Sequence, residues 1–461
     1  MMVNSKLRND VQNSCCSLMS WLETWKNKEG GYLGFVVHRC DLKRMFNIHD
    51  DTWAQSPIIN GYLNIFKKSY DRRWLKRAEI AADLLVRRLD STTGKYKYAG
   101  WENDKSTTLA HCALADCALL NISAVMRGMG EESKSKEYRK AAKFNIDEYL
   151  IDVLWNPRMQ AFRFGDFDPY SPFEERYIAN MNSVAIEALV KLSRLTGDRR
   201  YLKQYAIPVG RWLLTQQVRT RGIENGGISY SHNEPRVLIT IYTALALRGL
   251  DDLYLETGDT AYIDMMKKAT KHLIALRDPE TKLFYHGVFN GEILKYPQFI
   301  AGAGIILKAL NDMMSVSDDR YDLNTTIESI LKRQLPIGGF SNFVGYNTPQ
   351  NGRKKGTGYL VWEDMIPVVG WNGCLFEFLS EILSGEILFT EGEIEDVCLP
   401  NSSFIYHESS RKCVIMGKRP IESVGFYEYS KNNRYGFAVT PYKAIELFLH
   451  MMIGVYRRIP R

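Results

Sequence analysis

The 461-residue chain holds no uninterrupted apolar run of 18 residues. No membrane span is therefore expected. The opening stretch, MMVNSKLRNDVQNSCC, has no apolar segment of the kind a secretion signal needs. Cysteine is sparse and unpaired in pattern. None of Cys15, Cys16, Cys40, Cys112, Cys117, Cys374, Cys398 and Cys413 forms a CxxC pair. They read as buried thiols of a cytoplasmic protein. No His/Cys/Asp spacing suggests a metal site, and no glycine-rich phosphate loop follows a strand, so no cofactor is expected. The formal charge of +7 is mild for this length, and the densest basic stretch, Arg353-Lys354-Lys355, is short. A nucleic-acid partner is not expected.

What is present is an ordinary soluble composition, 45% apolar and 25% charged, with a rich 12% of aromatics. The chain is punctuated. Around Gly197-Asp198-Arg199-Arg200-Tyr201, a mostly apolar helix stops at the glycine and a more polar one starts at the aspartate. Similar breaks precede Trp74, Tyr138, Tyr262 and Tyr321. These aromatics are spaced 64, 63, 61 and 59 residues apart. A drifting period near 60 fits one helical hairpin plus one long loop.

The helical pattern covers 3–26, 52–69, 72–89, 106–128, 131–153, 177–196, 199–218, 236–256, 260–276, 298–315, 322–334 and 366–384. Helices 106–128, 236–256 and 298–315 are apolar on nearly every side and must be surrounded by protein. Helices such as 72–89 and 199–218 carry a charged face that meets water. This predicts six inner and six outer helices. Short and long connections alternate, so all the long loops fall at one end of the ring, with the N-termini of the inner helices. That mouth is the expected site. The tail, 385–461, turns to short alternating runs such as SSFIYHES and YGFAVTP, which read as a small antiparallel sheet, with a final helix at 441–456. The expected division is therefore a helical ring over 1–384 and a β-rich appendage over 385–461.

Leu195-Thr-Gly-Asp-Arg-Arg-Tyr-Leu, Glu256-Thr-Gly-Asp-Thr-Ala-Tyr-Ile and, more weakly, Ser69-Tyr-Asp-Arg-Arg-Trp-Leu lie at the hairpin turns. With six hairpins, the chain resembles the six-hairpin glycosidase superfamily, the all-α (α/α)6 toroid. The resemblance implies a fold that hosts glycoside hydrolases, uronyl hydrolases, polysaccharide lyases and sugar epimerases. It does not choose among them. A smaller resemblance runs through Ile48-His49-Asp50-Asp51-Thr52, which is similar to the acid motif of class II terpene cyclases, with Ile48 in place of its first aspartate.

A glycoside hydrolase needs one carboxyl group to protonate the leaving oxygen and a second as base or nucleophile. Four clusters near the mouth offer them. Asp50 and Asp51, with Trp53, start the first inner helix. Glu174 and Glu175, with Arg176 and Asn180, start the third. His232, Glu234 and Arg236 start the fourth, where Pro235 fits the first helical position and Glu234 the cap. Glu363 and Asp364 start the sixth, with Trp371 further in. Asp51 and Asp364 also serve as ordinary helix caps on a structural reading. Asn180 and Asn182 are unusual in an apolar helix and read either as hydrogen-bonded core or, by preference, as substrate contacts. Tyr230 and His232 equip the same mouth for proton abstraction on a uronate, the lyase or epimerase alternative. His111, on an apolar helix, reads as core. Tyr296 and the pair Tyr285-His286 lie in the fifth loop. Trp53, Trp101, Trp362 and Trp371 gather near the mouth, where they suit sugar stacking. The expectation is a saccharide-acting enzyme, a hydrolase first. The alternatives are a lyase or epimerase, a prenyl cyclase with Asp50/Asp51 as acid, and a non-catalytic glycan- or protein-binding toroid.

Overall fold

Local chemistry at the short connections stops an inner helix and starts its outer partner. In the computed structural model, Gly197 and Gly258 take left-handed backbone at helix C-termini, with φ of 77° and 69°. Asp71, Asp198 and Asp259 then accept backbone N–H bonds two residues ahead, at 2.9, 3.0 and 3.0 Å. These caps satisfy amides that a helix start leaves open. The structure describes residues 5–26, 29–32, 34–36, 47–49, 52–97, 99, 107–166, 175–316, 320–345 and 367–383. In the tail it describes the strands 403–407, 412–416, 426–430 and 434–438.

Twelve helices follow among these residues. The inner ones are α2 (Thr52–Ser69), α4 (Leu109–Gly128), α6 (Ala179–Thr196), α8 (Thr240–Leu245 and Leu247–Thr257), α10 (Ala303–Val316) and α12 (Val369–Ile382). The outer ones are α1 (Ser5–Thr24), α3 (Arg72–Arg88), α5 (Glu132–Asn145, continued as a π-helix over Ile146–Leu154), α7 (Tyr201–Ala206 as a π-helix, then Ile207–Thr215), α9 (Thr260–Ala275) and α11 (Asn324–Leu331). The inner ring closes on itself: α2 packs on α4, α4 on α6, α6 on α8, α8 on α10, α10 on α12, and α12 back on α2. Among the described residues, one helix, Leu109–Gly128, is long and apolar enough to cross a membrane. It is α4, and most of it is buried within the ring.

The aromatic ruler has a physical cause. Tyr138 and Tyr201 are buried, and their hydroxyls donate to Asp83 and Asp147 on the preceding outer helix, at 2.7 and 2.8 Å. The repeats that start at Tyr138 and Tyr201 are thus tied to the ones before them.

A second ruler lies at the mouth end. After each outer helix the chain turns back and makes a β-bridge: Lys26 to Tyr32, Leu89 to Tyr96, Trp155 to Phe162, Gln217 to Ile228, Arg277 to Phe284 and Gln334 to Phe340. The returning residues are buried and lie 64, 66, 66, 56 and 56 residues apart. Two positions earlier, each turn has a residue at positive φ: Gly30, Gly94, Gln160, Gly226, Lys282 and Gly338. Four of the six are glycine, which takes this conformation without penalty. Gln160 and Lys282 take it at φ of 54° and 61° with a side chain attached. A Cβ on Gly226 would lie 2.4 Å from the Lys268 carbonyl oxygen. Gly226→Ala is therefore expected to cost about 2 kcal/mol or more, combining left-handed strain with backbone overlap. Lys282→Gly should change stability by less than about 1 kcal/mol, since relief of strain offsets the added chain entropy. Urea denaturation of both variants checks this. Equal losses would refute the shared turn geometry.

The fourth residue of an inner helix clamps the returning segment. Gln55 bonds both backbone groups of Tyr32 at 2.8 Å. Asn182 bonds those of Phe162 at 2.7 and 2.9 Å, and Asn372 those of Phe340 at 2.8 Å. Thr243 stands in the same place beside Ile228 at 3.5 Å. Asn182 is thus a fully buried structural clamp, which corrects its reading as a substrate contact.

The first inner helix starts at Thr52 as expected, and the other five start later than their sequence pattern suggests. Val237–Ile239 is a strand paired with Gly287–Phe289, and α8 begins at Thr240. Pro235 is therefore not a first helical residue and Glu234 is not its cap. Likewise Gln298–Phe299 pairs with Phe343–Val344 ahead of α10. Apolar residues just before these helices satisfied the helical period, but their backbone groups bond to the neighbouring loop instead. In the tail the four strands form one antiparallel sheet in sequence order. The expected helix 441–456 lies outside the described residues.

Candidate functional site

The first turns of the inner helices enclose a cavity of about 80 Å³ at the mouth. Its wall is aromatic and apolar: Trp53 and Pro57 from α2, His111 and Leu114 from α4, Met181 from α6, Tyr242 and Leu245 from α8, and Trp371 from α12. The Trp53 and Trp371 rings meet edge to face with centroids 5.2 Å apart. This contact depends on Gly370. A Cβ there would lie 2.2 Å from the Trp53 ring, so only glycine lets the indole lie over α12. His111 is buried on the same wall, with its ring 6.1 Å from Trp53. Asn180 also lines the cavity. It is 4% exposed, and its Oδ1 accepts no hydrogen bond. A buried amide oxygen without a partner is costly, and a ligand hydroxyl would satisfy it.

Three expected contacts therefore meet at this cavity: Trp53, Asn180 and Trp371. Tyr230 stands one layer behind, stacked on Tyr242 with centroids 5.4 Å apart. The other candidates do not line it. Exposed Glu175 accepts from the Tyr177 hydroxyl and pairs with Arg163 at 3.2 Å, and these contacts hold its carboxyl below the usual range. His232 sits against Tyr177, with ring centroids 5.1 Å apart. Glu234 accepts from Ser231 at 3.1 Å. Arg236 forms a two-bond pair with Glu224 at 3.1 and 3.2 Å. Tyr296 is half-buried in the loop before Gln298. Asp50, Asp51, Glu174, Glu363 and Asp364, with Trp101 and Trp362, lie outside the described residues. Among the described residues, no group of three His, Cys, Asp or Glu side chains could hold a metal ion.

The floor of the cavity is charged. Asn60, Glu187, Arg248 and Glu377 are each the ninth residue of their inner helix, so they share one level of the ring. Arg248 Nε and Nη2 donate to the two Glu187 oxygens at 2.7 and 2.9 Å. Burial alone would raise the Glu187 carboxyl. Arg248 and Lys191 outweigh it and hold the group down at about 2. Glu377 makes no ion pair among the described residues, though Arg248 and Lys308 act on it from further off. Its Oε1 accepts from Asn60 Nδ2 at 3.2 Å, and burial pushes its carboxyl up. Arg248 and Glu377 line the mouth cavity from below and also line a second cavity beyond it. Sequence reading missed this layer. The available signal was a lone charge at the same position of three apolar helices: Glu187 in VAIEALV, Arg248 in LALRGL and Glu377 in CLFEFLS. The thiols follow expectation at Cys15, Cys16, Cys112 and Cys117, which are buried, whereas Cys374 is half-buried on the cavity wall.

No family profile matches the chain. No curated protein sequence matches it significantly. Solved structures do. The chain is similar to a D-mannose isomerase, with TM-score 0.60 and 13% identity over 83% of this chain and 98% of that one. It is similar to cellobiose 2-epimerase from Bacillus thermoamylovorans, with TM-score 0.58 and 14% identity over 82% and 100%. It is also similar to an α-1,6-mannanase of Salegentibacter, with TM-score 0.52 and 11% identity over 81% and 98%. That mannanase was captured with α-1,6-mannotriose as an inactive variant, with two consecutive aspartates replaced by asparagine. At these identities the likeness establishes the fold: the chain is a six-hairpin (α/α)6 toroid.

Proposed function

We propose that the protein is a saccharide-transforming enzyme, a glycoside hydrolase first, working at the mouth of the ring. One observation carries this reading: Trp53 and Trp371, from the first turns of neighbouring helices α2 and α12, form one aromatic wall. Both helices are preceded in sequence by acidic pairs, Asp50-Asp51 directly before α2 and Glu363-Asp364 shortly before α12. An indole face binds the apolar face of a pyranose. Asn180 Oδ1 accepts from a sugar hydroxyl. One carboxyl group of Asp50/Asp51 protonates the glycosidic oxygen, and one of Glu363/Asp364 acts as base or nucleophile. The mannanase, inactive without its own two consecutive aspartates, supports the first assignment. Glu175 and Glu234 stay in reserve, since both already have partners away from the cavity. The four buried thiols among the described residues support a cytoplasmic location.

The likeness to an isomerase and an epimerase supports a second reading, proton abstraction from a sugar by His232 with Tyr230, Arg236 and Tyr296 around the substrate. The apolar wall supports a prenyl cyclase with Asp51 as acid.

A panel of oligosaccharides separates these. Hydrolysis releases new reducing ends, elimination yields an unsaturated product, and epimerisation changes the anomeric NMR signals without chain cleavage. For the hydrolase, Asp50→Asn with Asp51→Asn is expected to lower kcat by about 10²–10⁴-fold. Glu363→Gln with Asp364→Asn should do the same, with folding intact by circular dichroism. Turnover of a prenyl diphosphate but of no saccharide would replace the reading. Full hydrolysis by both double variants would remove these acids from it.

A further inference from the structure

The second cavity lies beyond the charged layer, among the later turns of the inner helices and toward the short connections. At about 240 Å³ it is larger than the mouth cavity. Leu63 is its sole apolar lining residue among those described, and everything else on its wall is an amide, a carboxylate or a cation. Its formal charge does not balance: six carboxylates face four cationic groups.

Four of those carboxylates are accounted for. Glu187 is held by Arg248, Asp252 by Arg194 at 2.7 Å, and Asp312 and Glu381 by Lys308 at 3.2 and 2.7 Å. The remaining two make no ion pair among the described residues, although Lys308 acts on both from further off, and Arg248 and Lys67 act on Glu377. Asp251 makes no ion pair among the described residues, and its buried Oδ1 accepts no hydrogen bond. Glu377 is 6% exposed and accepts one bond, from Asn60, leaving Oε2 without a donor among the described residues. They sit at different depths. Glu377 is at the floor shared with the mouth cavity, and Asp251 is a turn further along its helix, on α8.

We propose that this cavity is a second ligand site, taking a small linear diammonium ion with one ammonium on Asp251 and the other on Glu377. The two lining carboxylates without an ion pair match the ligand's two ammonium groups one for one, and their different depths suit a linear ion. A buried carboxylate without a partner is among the costliest groups a fold can retain. An ammonium with three donors satisfies it. The site goes beyond the saccharide chemistry proposed for the mouth and is tested without any turnover.

The empty cavity has its own way to lower the charge. Burial, with repulsion from Asp312 on α10 and Asp252 on α8, pushes the Asp251 carboxyl up to about 6; Lys308 on α10 opposes this, and Glu187 on α6 adds to it. A cation binds the ionised form. Affinity should therefore rise as pH rises through about 6, and binding should release protons.

Calorimetric titration of the full chain with putrescine is the test, with butylamine and glucose as controls. Putrescine is expected to bind with a stoichiometry of one, butylamine at least about tenfold more weakly, and glucose not at all. Asp251→Asn and Glu377→Gln should each weaken putrescine about tenfold or more. Asp251→Asn should at the same time raise the melting temperature, because it removes a repelled charge. That opposite pair of readouts separates a binding role from a structural one, even if Glu377→Gln fails to fold. No heat and no thermal shift with millimolar putrescine would overturn the proposal. So would unchanged affinity in Asp251→Asn, or equal binding of butylamine.

Discussion

Replacing Arg248 with methionine is expected to destabilise the ring by about 3–5 kcal/mol. Methionine keeps most of the volume but leaves Glu187, 4% exposed at the centre of the barrel, without its two-bond partner. The cost is that of an uncompensated buried carboxylate, not the net worth of the pair. The pH dependence gives the signature. In the native protein Glu187 is held at about 2, below its ordinary value of 4.5, so its contribution is present above the unfolded value and is lost as pH falls toward 2. In the variant, burial acts with only Lys191 and Lys308 against it, and the carboxyl rises. Its penalty then shrinks on mild acidification, as the group takes up a proton. Glu187→Gln combined with Arg248→Met should recover most of the loss. Urea denaturation at neutral and mildly acidic pH reads all of this. A deficit under about 1 kcal/mol, or one that does not change with pH, would show that the pair is not the keystone of this layer.

Asn372→Ala is expected to cost about 3–5 kcal/mol. Its amide bonds the Phe340 N–H and C=O at 2.8 Å and the Val368 carbonyl at 3.0 Å, and residue and partner are fully buried. Truncation strands the two Phe340 groups, at about 1–3 kcal/mol each. Asn182→Ala should behave alike through Phe162. Asn180→Ala is the informative contrast. Its side chain makes no hydrogen bond, so stability should change by less than about 1 kcal/mol. Saccharide binding should suffer instead. If thermal melts show Asn180→Ala as damaging as Asn372→Ala, Asn180 is a structural residue and the mouth loses its polar contact.

These two asparagines show how far residue type alone reaches. Asn180 and Asn182 look alike in the sequence, two polar residues two apart on an apolar helix. One points into the mouth and the other clamps a returning loop. The helix supplies a rotation of about 100° per residue, but only the ring says what lies in each direction. The acidic candidates divide in the same way. Glu175, Glu234 and Arg236 had the right chemistry near the right end, yet each found a local partner in its own loop.

The sequence by itself determined the hairpins. Helical periodicity, the Gly-Asp breaks and the aromatic ruler are local signals, and the alternation of short and long loops placed the mouth. Local signals suffice because each acts over one or two turns of backbone. The tertiary structure decided what those hairpins enclose. The start of α8, the clamps on Tyr32, Phe162 and Phe340, and the level shared by Asn60, Glu187, Arg248 and Glu377 all join residues far apart in the chain. Glu187 and Arg248 are 61 residues apart, and Asn60 and Glu377 are 317 apart. A charge on an apolar helix reads as a misfit until the ring closes and brings its counterpart to the same height.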